Sequence, residues 1–341
     1  NRLKKVLLRD GEPDTVPFYE LFADREVVET YTGKPMTPET IVEFFYKLGY
    51  DYATVGINFG YKHYSNTTDD TAQLSRGKRG FVDDNQGIIE TRQDFDAYNW
   101  PVIDKSITSE IIETEKYLPD GMKSIILTPG GILENVVQLM GYIPFSYALM
   151  DDEQLIWDMF EKIGGNGVNM IRTCLEESDI SKVGAVVMGD DMGYNHSTMI
   201  SPDLLRKYVF PWQKKFGEVV HSYDLPFIIH SCGNLTEIMD DLIDYVEIDA
   251  KHSYEDKIMP VTEAKAKYGD RIAILGGVDV DFLCRAKEEE IRRYVDNVLE
   301  KCAPGGGYAL GTGNSVTNYI PMKNYMIMLD EGRKKGLYTV I

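Results

Sequence analysis

Short apolar runs alternate along the chain with longer segments in which apolar residues return at every third or fourth position. The runs suit strands that are buried on both faces, and the longer segments suit amphipathic helices. This alternation is typical of a parallel sheet whose successive strands are joined by helices. It predicts strands at residues 16–21, 51–57, 123–129, 184–190, 226–231, 245–249, 271–277 and 307–313.

Eight strand–helix units fit either a closed barrel or an open, doubly wound sheet. The number eight favours the closed α/β fold, a (β/α)8 TIM barrel, and 341 residues are compatible with one such domain. We therefore predict a single TIM-barrel domain over residues 1–341. One of its helices is expected to begin at Ser201, which can cap the first amides, with Pro202 in the first turn.

Residues 58–100 interrupt the alternation. The segment is polar, aromatic and glycine-containing, and it shows no clear periodicity. A stretch this long inside a compact domain is usually functional or forms a small subdomain. Because it follows the second predicted strand, we expect an insertion that lies over the C-terminal face of the barrel.

Charge and composition narrow the classes of partner. The chain has 36 Lys and Arg against 55 Asp and Glu, a formal net charge of -19. Such a surface repels phosphate backbones and anionic lipid, so we expect neither a nucleic-acid nor a membrane partner. Without a membrane-length apolar stretch or a signal-peptide pattern, the sequence predicts a cytoplasmic protein. The four irregularly spaced cysteines are expected to be reduced thiols.

Polar residues are concentrated at the predicted strand ends. The C-terminal ends of the strands of a parallel barrel surround one mouth, where TIM-barrel enzymes carry their active sites. The residues at these ends are Glu20, Asn58, Asp190, Asp191, His230, Cys232, Asp249, His252, Asp279, Thr312 and Asn314. This concentration predicts that the chemistry takes place at the mouth.

His230 and Cys232 lie one residue apart at the end of the apolar run in "LPFIIHSCGN". Imidazole and thiolate are both good zinc ligands, and Gly233 permits the turn that would bring them together. In the alternative interpretation, His230 is a hydrogen-bonded core residue and Cys232 a small buried one. Further ligands would come from other strands, with Glu20, Asp190, Asp191 and His252 as candidates. We predict Glu20, across the closed barrel, as the third ligand.

Other polar residues are assigned to catalysis and substrate binding. Asp190, Asp191 and His252 are predicted catalytic residues, with Asp190 facing the mouth. A turn or cap role for the two aspartates and a surface position for His252 are the alternatives. The predicted substrate-binding residues are Asn58, Tyr61, Tyr194, Asn195 and Asn314. Tyr61, Tyr64 and Tyr194 can pack against an aryl ring, or they are scattered loop residues.

The segment "TPGG", at residues 128–131, follows the third predicted strand. It can form a turn, or its backbone amides can bind an anionic group at the start of the next helix.

Three phrases resemble a known family. "HSCGNL", "PVTEAKAKYGDRIAILGGVDVDFL" and "GGGYALGTGNSVTNYIPMKNY" are similar to the uroporphyrinogen decarboxylase superfamily and, within it, to the corrinoid-linked methyltransferase branch. The similarity runs from about Val16 to Leu337 and is strongest in the C-terminal half. The resemblance implies a (β/α)8 barrel. For the methyltransferase branch it also implies a zinc ion, bound by the H-x-C pair, near the cobalt of a separate corrinoid protein.

The chain departs from both patterns of that superfamily. Decarboxylases carry an arginine-rich N-terminal motif, an Asp after strand two and a His in strand eight, where this chain has "PFYELFADRE", "VGINFG" and Thr312 in "GTG". Porphyrinogen decarboxylation is therefore not expected. The third ligand of the methyltransferases is commonly a Cys in the strand-eight loop, and "LGTGNSVTNY" contains none. An oxygen ligand would make the zinc a harder Lewis acid, which suits an ether oxygen.

These features together predict a zinc-dependent methyltransferase. It would move a methyl group between a small O-methyl compound, for example a methoxylated aromatic, and the cobalamin of a corrinoid protein. The first alternative is a metal-independent decarboxylase or lyase that uses Asp190, Asp191 or His252 as acid and base. A barrel that binds a ligand or a corrinoid partner without turnover is the second alternative. A homodimer is a further expectation.

Overall fold

The computed structural model of the protein describes residues 2–82 and 85–338. Asp83 and Asp84 of the predicted insertion, and residues 1 and 339–341 of the predicted domain, lie outside the described residues. Within these ranges a curled sheet of seven parallel strands has the order β1-β4-β5-β6-β7-β8-β9, and β2 and β3 form a separate antiparallel hairpin. The strands are β1 Tyr52–Gly56, β2 Ser65–Asp69, β3 Lys78–Val82, β4 Lys123–Leu127, β5 Val183–Gly189, β6 Phe227–His230, β7 Ala250–His252, β8 Ala273–Leu275 and β9 Tyr308–Ala309.

Helices connect the parallel strands and cover the outside of the sheet. The α-helices are α1 Arg2–Leu7, α2 Arg25–Thr32, α3 Pro38–Lys47, α4 Arg92–Ala97, α5 Ser109–Glu115, α6 Ile132–Met140, α7 Tyr142–Asp151, α8 Glu153–Glu177, α9 Pro202–Leu204, α10 Phe210–His221, α11 Val261–Tyr268, α12 Val280–Arg285, α13 Glu288–Cys302 and α14 Met322–Lys335. Short 3-10 turns span Lys105–Thr108 and Ile180–Lys182, and π-helical turns span Leu205–Val209 and Asp241–Tyr245.

The predicted α/β barrel is confirmed by this arrangement of parallel strands and helices. Strands such as β5 and β6 are buried along their length, as expected for a sheet covered on both faces. The first predicted strand, residues 16–21, completes the barrel as a single parallel bridge between Phe18 and Leu310 rather than as a regular strand. On the side of this segment that faces β1, the amide of Glu20 donates to the hydroxyl of Tyr52 at 2.6 Å. A side chain therefore replaces the backbone hydrogen bonds that would pair the segment with β1.

One predicted strand is displaced along the chain. Residues 245–249 do not form a strand; β7 follows at Ala250–His252. The apolar side chains that suggested the earlier position, Val246 and Ile248, are buried in the connection from the preceding π-helical turn. Asp249 directly precedes the strand, and its carboxylate accepts hydrogen bonds from His221 at 2.8 Å and from the amide of Phe227 at 2.7 Å.

The segment predicted as an insertion contains the hairpin β2–β3 and helix α4, which its aperiodic sequence did not predict. Asn318, in the loop that follows β9, donates a hydrogen bond from its side chain to Asp70 at 2.8 Å. The carbonyl of Asn318 accepts from the amide of Leu74 at 3.3 Å. The turn of the hairpin is therefore attached to a loop at the C-terminal end of the sheet.

The predicted helix start at Ser201 is confirmed. Its hydroxyl accepts from the amide of Leu204, and Pro202 occupies the first turn. The helix then passes through the π-helical turn Leu205–Val209 just before Pro211, whose missing N–H removes a regular hydrogen bond. Across the described part of the chain, no helix is both long and apolar enough to cross a membrane.

Candidate metal centre at the barrel mouth

Two neighbouring strand ends bring imidazole and thiol groups together. His230 is the last residue of β6 and pairs in register with His252, the last residue of β7. The ladder continues past both strands, since the amide of Ser231 donates to the carbonyl of His252 at 2.8 Å. Cys232 follows immediately and is held at the C-terminal edge of the sheet.

A close backbone crossing places a third segment beside Cys232. Gly233, with φ of +80°, packs against Gly193 so closely that a Cβ on Gly233 would lie 2.3 Å from the carbonyl carbon of Gly193. The crossing holds the loop after β5 against the loop after β6. As a result, the amide of Cys232 donates to Oδ1 of Asp191 at 2.8 Å.

Replacing Gly233 with alanine is expected to lower the free energy of unfolding by about 3 kcal/mol, because the change combines a positive φ with a backbone clash. The matched control is Gly33→Ala, at a φ of +68° with no atom within 4 Å of the added Cβ, which is expected to cost about 1 kcal/mol. Urea denaturation of both variants measures the difference. Equal losses would show that the crossing does not constrain this loop.

Three potential ligand atoms converge at this place. One each from Asp191, His230 and Cys232 lie within 4.8 Å of one another. His230 Nε2 is 3.5 Å from Cys232 Sγ and 3.8 Å from Asp191 Oδ1. These separations are close to those between ligands of a tetrahedral zinc ion, whose bonds to nitrogen, oxygen and sulfur are about 2.0–2.3 Å long. The donor set therefore fits a metal ion such as zinc.

Burial holds His230 and Cys232 in their uncharged forms. It lowers the pKa of His230 to about 3, with a smaller contribution from the cation of Lys251, so the imidazole is neutral as a metal ligand must be. Burial and then the charge of Asp191 raise the pKa of Cys232 to about 12. The thiol would consequently release its proton when it binds a metal ion.

The outer face of β7 carries a buried cation that sequence reasoning missed. Lys251 donates from Nζ to the carbonyls of Ser231 and Ser253, at 3.3 and 2.5 Å, and so joins the segments on either side of the cluster. Burial lowers the pKa of Lys251 to about 8. The displaced strand prediction hid this residue, because "DAKHS" was placed in a loop.

Glu134 is a second missed residue. Burial, followed by the charges of Asp191 and Asp190, raises its pKa to about 8. It lies in the first turn of α6, where an acidic residue ordinarily indicates only favourable interaction with the helix dipole. No feature of the sequence distinguished it from such a residue.

The structure assigns Asp190 to a different position from the predicted one. Its buried carboxylate does not face the mouth but accepts hydrogen bonds from the amides of Ile132, Leu133 and Glu134, at 2.9, 3.3 and 3.0 Å. The amides of the helix that follows the "TPGG" segment thus bind a carboxylate of the same chain. Asp191, the next residue, reaches the cluster instead.

The predicted third ligand, Glu20, is not part of the cluster. Its buried carboxylate accepts from the amide of Thr312 at 2.9 Å and from the hydroxyl of the same residue. Burial raises the pKa of Glu20 to about 8. The segment 16–21 does lie next to β9, as expected for a closed barrel, and this adjacency directs the carboxylate to Thr312 rather than across the mouth.

His252 is fully buried, so the surface alternative is wrong for this residue. Its Nδ1 lies 2.8 Å from Nδ1 of His230, and its Nε2 lies 3.2 Å from the carbonyl oxygen of Thr312. The histidine therefore contacts a candidate ligand directly without belonging to the group of three ligand atoms.

The predicted substrate-binding residues are separated. Asn314 lies beside the cluster, with its side-chain amide 3.2 Å from Cys232 Sγ. Tyr61 is partly buried and accepts from Asn166 at 3.1 Å. Asn58, Tyr194 and Asn195 are exposed, as is Tyr64. Asn314 also lines a cavity of about 580 Å³ together with Glu255 and Tyr319, which is within the size range of small-molecule sites.

The fold and the cluster define a TIM-barrel protein with a candidate metal site at the C-terminal ends of its strands. The family model for Uroporphyrinogen decarboxylase (URO-D) matches residues 95–334, and the chain belongs to this family. Membership in this family indicates an enzyme.

Two known proteins illustrate the similarity. Over 70 residues the chain is 34% identical to the uroporphyrinogen decarboxylase of Herminiimonas arsenicoxydans, a match that covers 20% of this chain and 19% of that protein. A solved structure described as a methyltransferase from Methanosarcina mazei has a TM-score of 0.71 at 15% identity, covering 98% of this chain and 97% of the other. The second likeness shows the shared fold.

Proposed function

We propose that this protein is a zinc-dependent methyltransferase that moves a methyl group between a small O-methyl compound, for example a methoxylated aromatic, and the cobalamin of a corrinoid protein. The observation that carries the proposal is the convergence of Asp191, His230 and Cys232 at the barrel mouth. The full-length structural likeness to a methyltransferase adds fold-level support.

In this proposal His230, Cys232 and Asp191 hold the zinc ion, which polarises the ether oxygen when it is bound. A single thiolate with a carboxylate makes a harder site than two thiolates, which favours oxygen over sulfur substrates. The side-chain amide of Asn314 donates towards Cys232 Sγ and faces the adjoining cavity, so it can orient the thiolate and contact the substrate.

The methyl acceptor is proposed to be a separate corrinoid protein because the cluster offers no activated nucleophile of its own. Burial raises the pKa of Cys232 to about 12, so the uncoordinated thiol is protonated and is a poor methyl acceptor at neutral pH. In this proposal the acceptor reaches the mouth from outside the chain.

Purified protein is expected to contain about one zinc ion per chain and to lose methyl transfer when a chelator removes it. Elemental analysis gives the stoichiometry, and the change in cobalt absorbance on methylation of a corrinoid protein gives the rate with methoxybenzene donors. Zinc added back should restore the rate. Metal-free protein with undiminished transfer would contradict the proposal.

Family membership favours a second candidate, a metal-independent decarboxylase or lyase that acts on a small acid. Glu134, with its pKa raised to about 8, is a suitable proton donor beside Asp191. Carbon dioxide release that survives both the chelator and Cys232→Ser would support this candidate over the methyltransferase.

A further inference from the structure

We infer that His252 is a positioning residue that keeps the ring proton of His230 on Nδ1, so that Nε2 of His230 always presents a lone pair to the metal site. This inference rests on the proposed metal centre and deepens it. It concerns a residue outside the group of three ligand atoms.

The proton positions follow from the hydrogen bonds, beginning at Thr312. A carbonyl oxygen can only accept, so Nε2 of His252, at 3.2 Å from that oxygen, carries the proton. A neutral ring protonated at Nε2 has a bare Nδ1. Nδ1 of His230, 2.8 Å away, must then be the donor of the bond between the two rings.

The remaining nitrogen of His230 is therefore bare. It lies 3.5 Å from Cys232 Sγ and 3.8 Å from a carboxylate oxygen of Asp191. A lone pair that faces a carboxylate oxygen is electrostatically unfavourable unless a proton or a metal ion lies between them. In the free protein the thiol of Cys232 can donate its proton to this nitrogen, and a metal ion would replace that proton.

The hydrogen bonds from Thr312 through His252 to His230 form a relay. Glu20 fixes its first member, Thr312. Its carboxylate accepts from both the amide and the hydroxyl of Thr312, which fixes the residue whose carbonyl accepts from His252. The ring of Tyr19 packs edge-on against His252, with centroids 5.1 Å apart, and restricts the rotation of the imidazole. Glu20, which was predicted as a ligand, thus influences the metal site only through Thr312 and His252.

The energetic consequence concerns metal affinity. A neutral imidazole can carry its proton on either nitrogen, and only the form with bare Nε2 can ligate through that atom. Groups that accept from the second nitrogen of a ligating histidine commonly contribute 10–100-fold to metal affinity. In this protein the acceptor is another imidazole, which is itself held by a carbonyl.

Two substitutions of His252 separate this role from simple filling of space. Asparagine places its Oδ1 where Nδ1 of the histidine was and can still accept from His230, whereas leucine cannot. We expect His252→Leu to weaken zinc binding about 10–100-fold, and His252→Asn to remain within about threefold of the unaltered protein. Competition with a chromophoric chelator measures both affinities, and the visible spectrum of bound Co²⁺ reports the ligand set.

Equal zinc affinity in His252→Leu and the unaltered protein would overturn the inference, as would an equal loss in both variants with intact circular dichroism. If the unaltered protein itself binds no zinc, the proposed metal centre fails and not the relay alone. The relay is tested without metal or mutation by nitrogen NMR of protein labelled at its five histidines. Protonated Nδ1 on His230 and protonated Nε2 on His252 are expected; a proton on Nε2 of His230 would overturn the assignment.

Discussion

Replacing Cys232 with serine is expected to lower kcat/KM for methyl transfer about a thousandfold and to reduce bound zinc from about one ion per chain to near zero. Serine is close in size, but its hydroxyl does not ionise readily and is a poor zinc ligand. Loss of the ion removes a Lewis acid worth several kcal/mol in the transition state. About 4 kcal/mol corresponds to a thousandfold change in rate.

The matched control is Cys174→Ser, the same substitution in helix α8, where the thiol is buried and belongs to no cluster of ligand atoms in the described ranges. A serine hydroxyl there can bond to a carbonyl of the preceding turn, so the helix tolerates it. This variant is expected to keep its zinc and its rate. Unchanged zinc content and unchanged transfer in Cys232→Ser would rule out the proposed role of the thiol.

The hydrophobic pattern correctly predicted the strands that are covered on both faces of the sheet. Strands β5 and β6 are apolar because both faces are covered, so their sequence alone indicates a strand. The position of β7 was missed because Val246 and Ile248 are buried by a connection, and an apolar run does not reveal which element buries it. Lys251 and His252 were consequently assigned to a loop.

In the candidate site, too, the sequence predicted the part that is formed locally and missed the part that depends on contacts between distant segments. His230 and Cys232 share one strand end, so their proximity follows from the local sequence. Their third partner depends on the crossing of Gly193 and Gly233, which joins two loops that are 40 positions apart and that no local pattern connects. Strand adjacency suggested Glu20 instead, and that adjacency is real but directs the carboxylate to Thr312.

Replacing Asp190 with alanine is expected to lower the free energy of unfolding by about 4 kcal/mol. The carboxylate accepts from three amides at the start of α6 and from the side chain of Gln213 at 2.8 Å. Its removal leaves these buried donors unsatisfied, and each such donor costs about 1–3 kcal/mol before the structure relaxes. Urea denaturation with an unchanged m-value would measure the loss.

Asp152→Ala serves as the matched control, because Asp152 caps α8 through a single bond to the amide of Leu155 at a partly exposed site. A loss of about 1 kcal/mol is expected there, and equal losses in the two variants would contradict the anchoring role of Asp190. Asp190→Asn separates anchoring from catalysis, since its amide oxygen still accepts from the helix but cannot act as a base. If Asp190 anchors α6 and Asp191 belongs to the metal centre, Asp190→Asn keeps most of the methyl transfer while Asp191→Asn loses it. Loss of transfer in a stably folded Asp190→Asn variant would instead return Asp190 to the reacting groups.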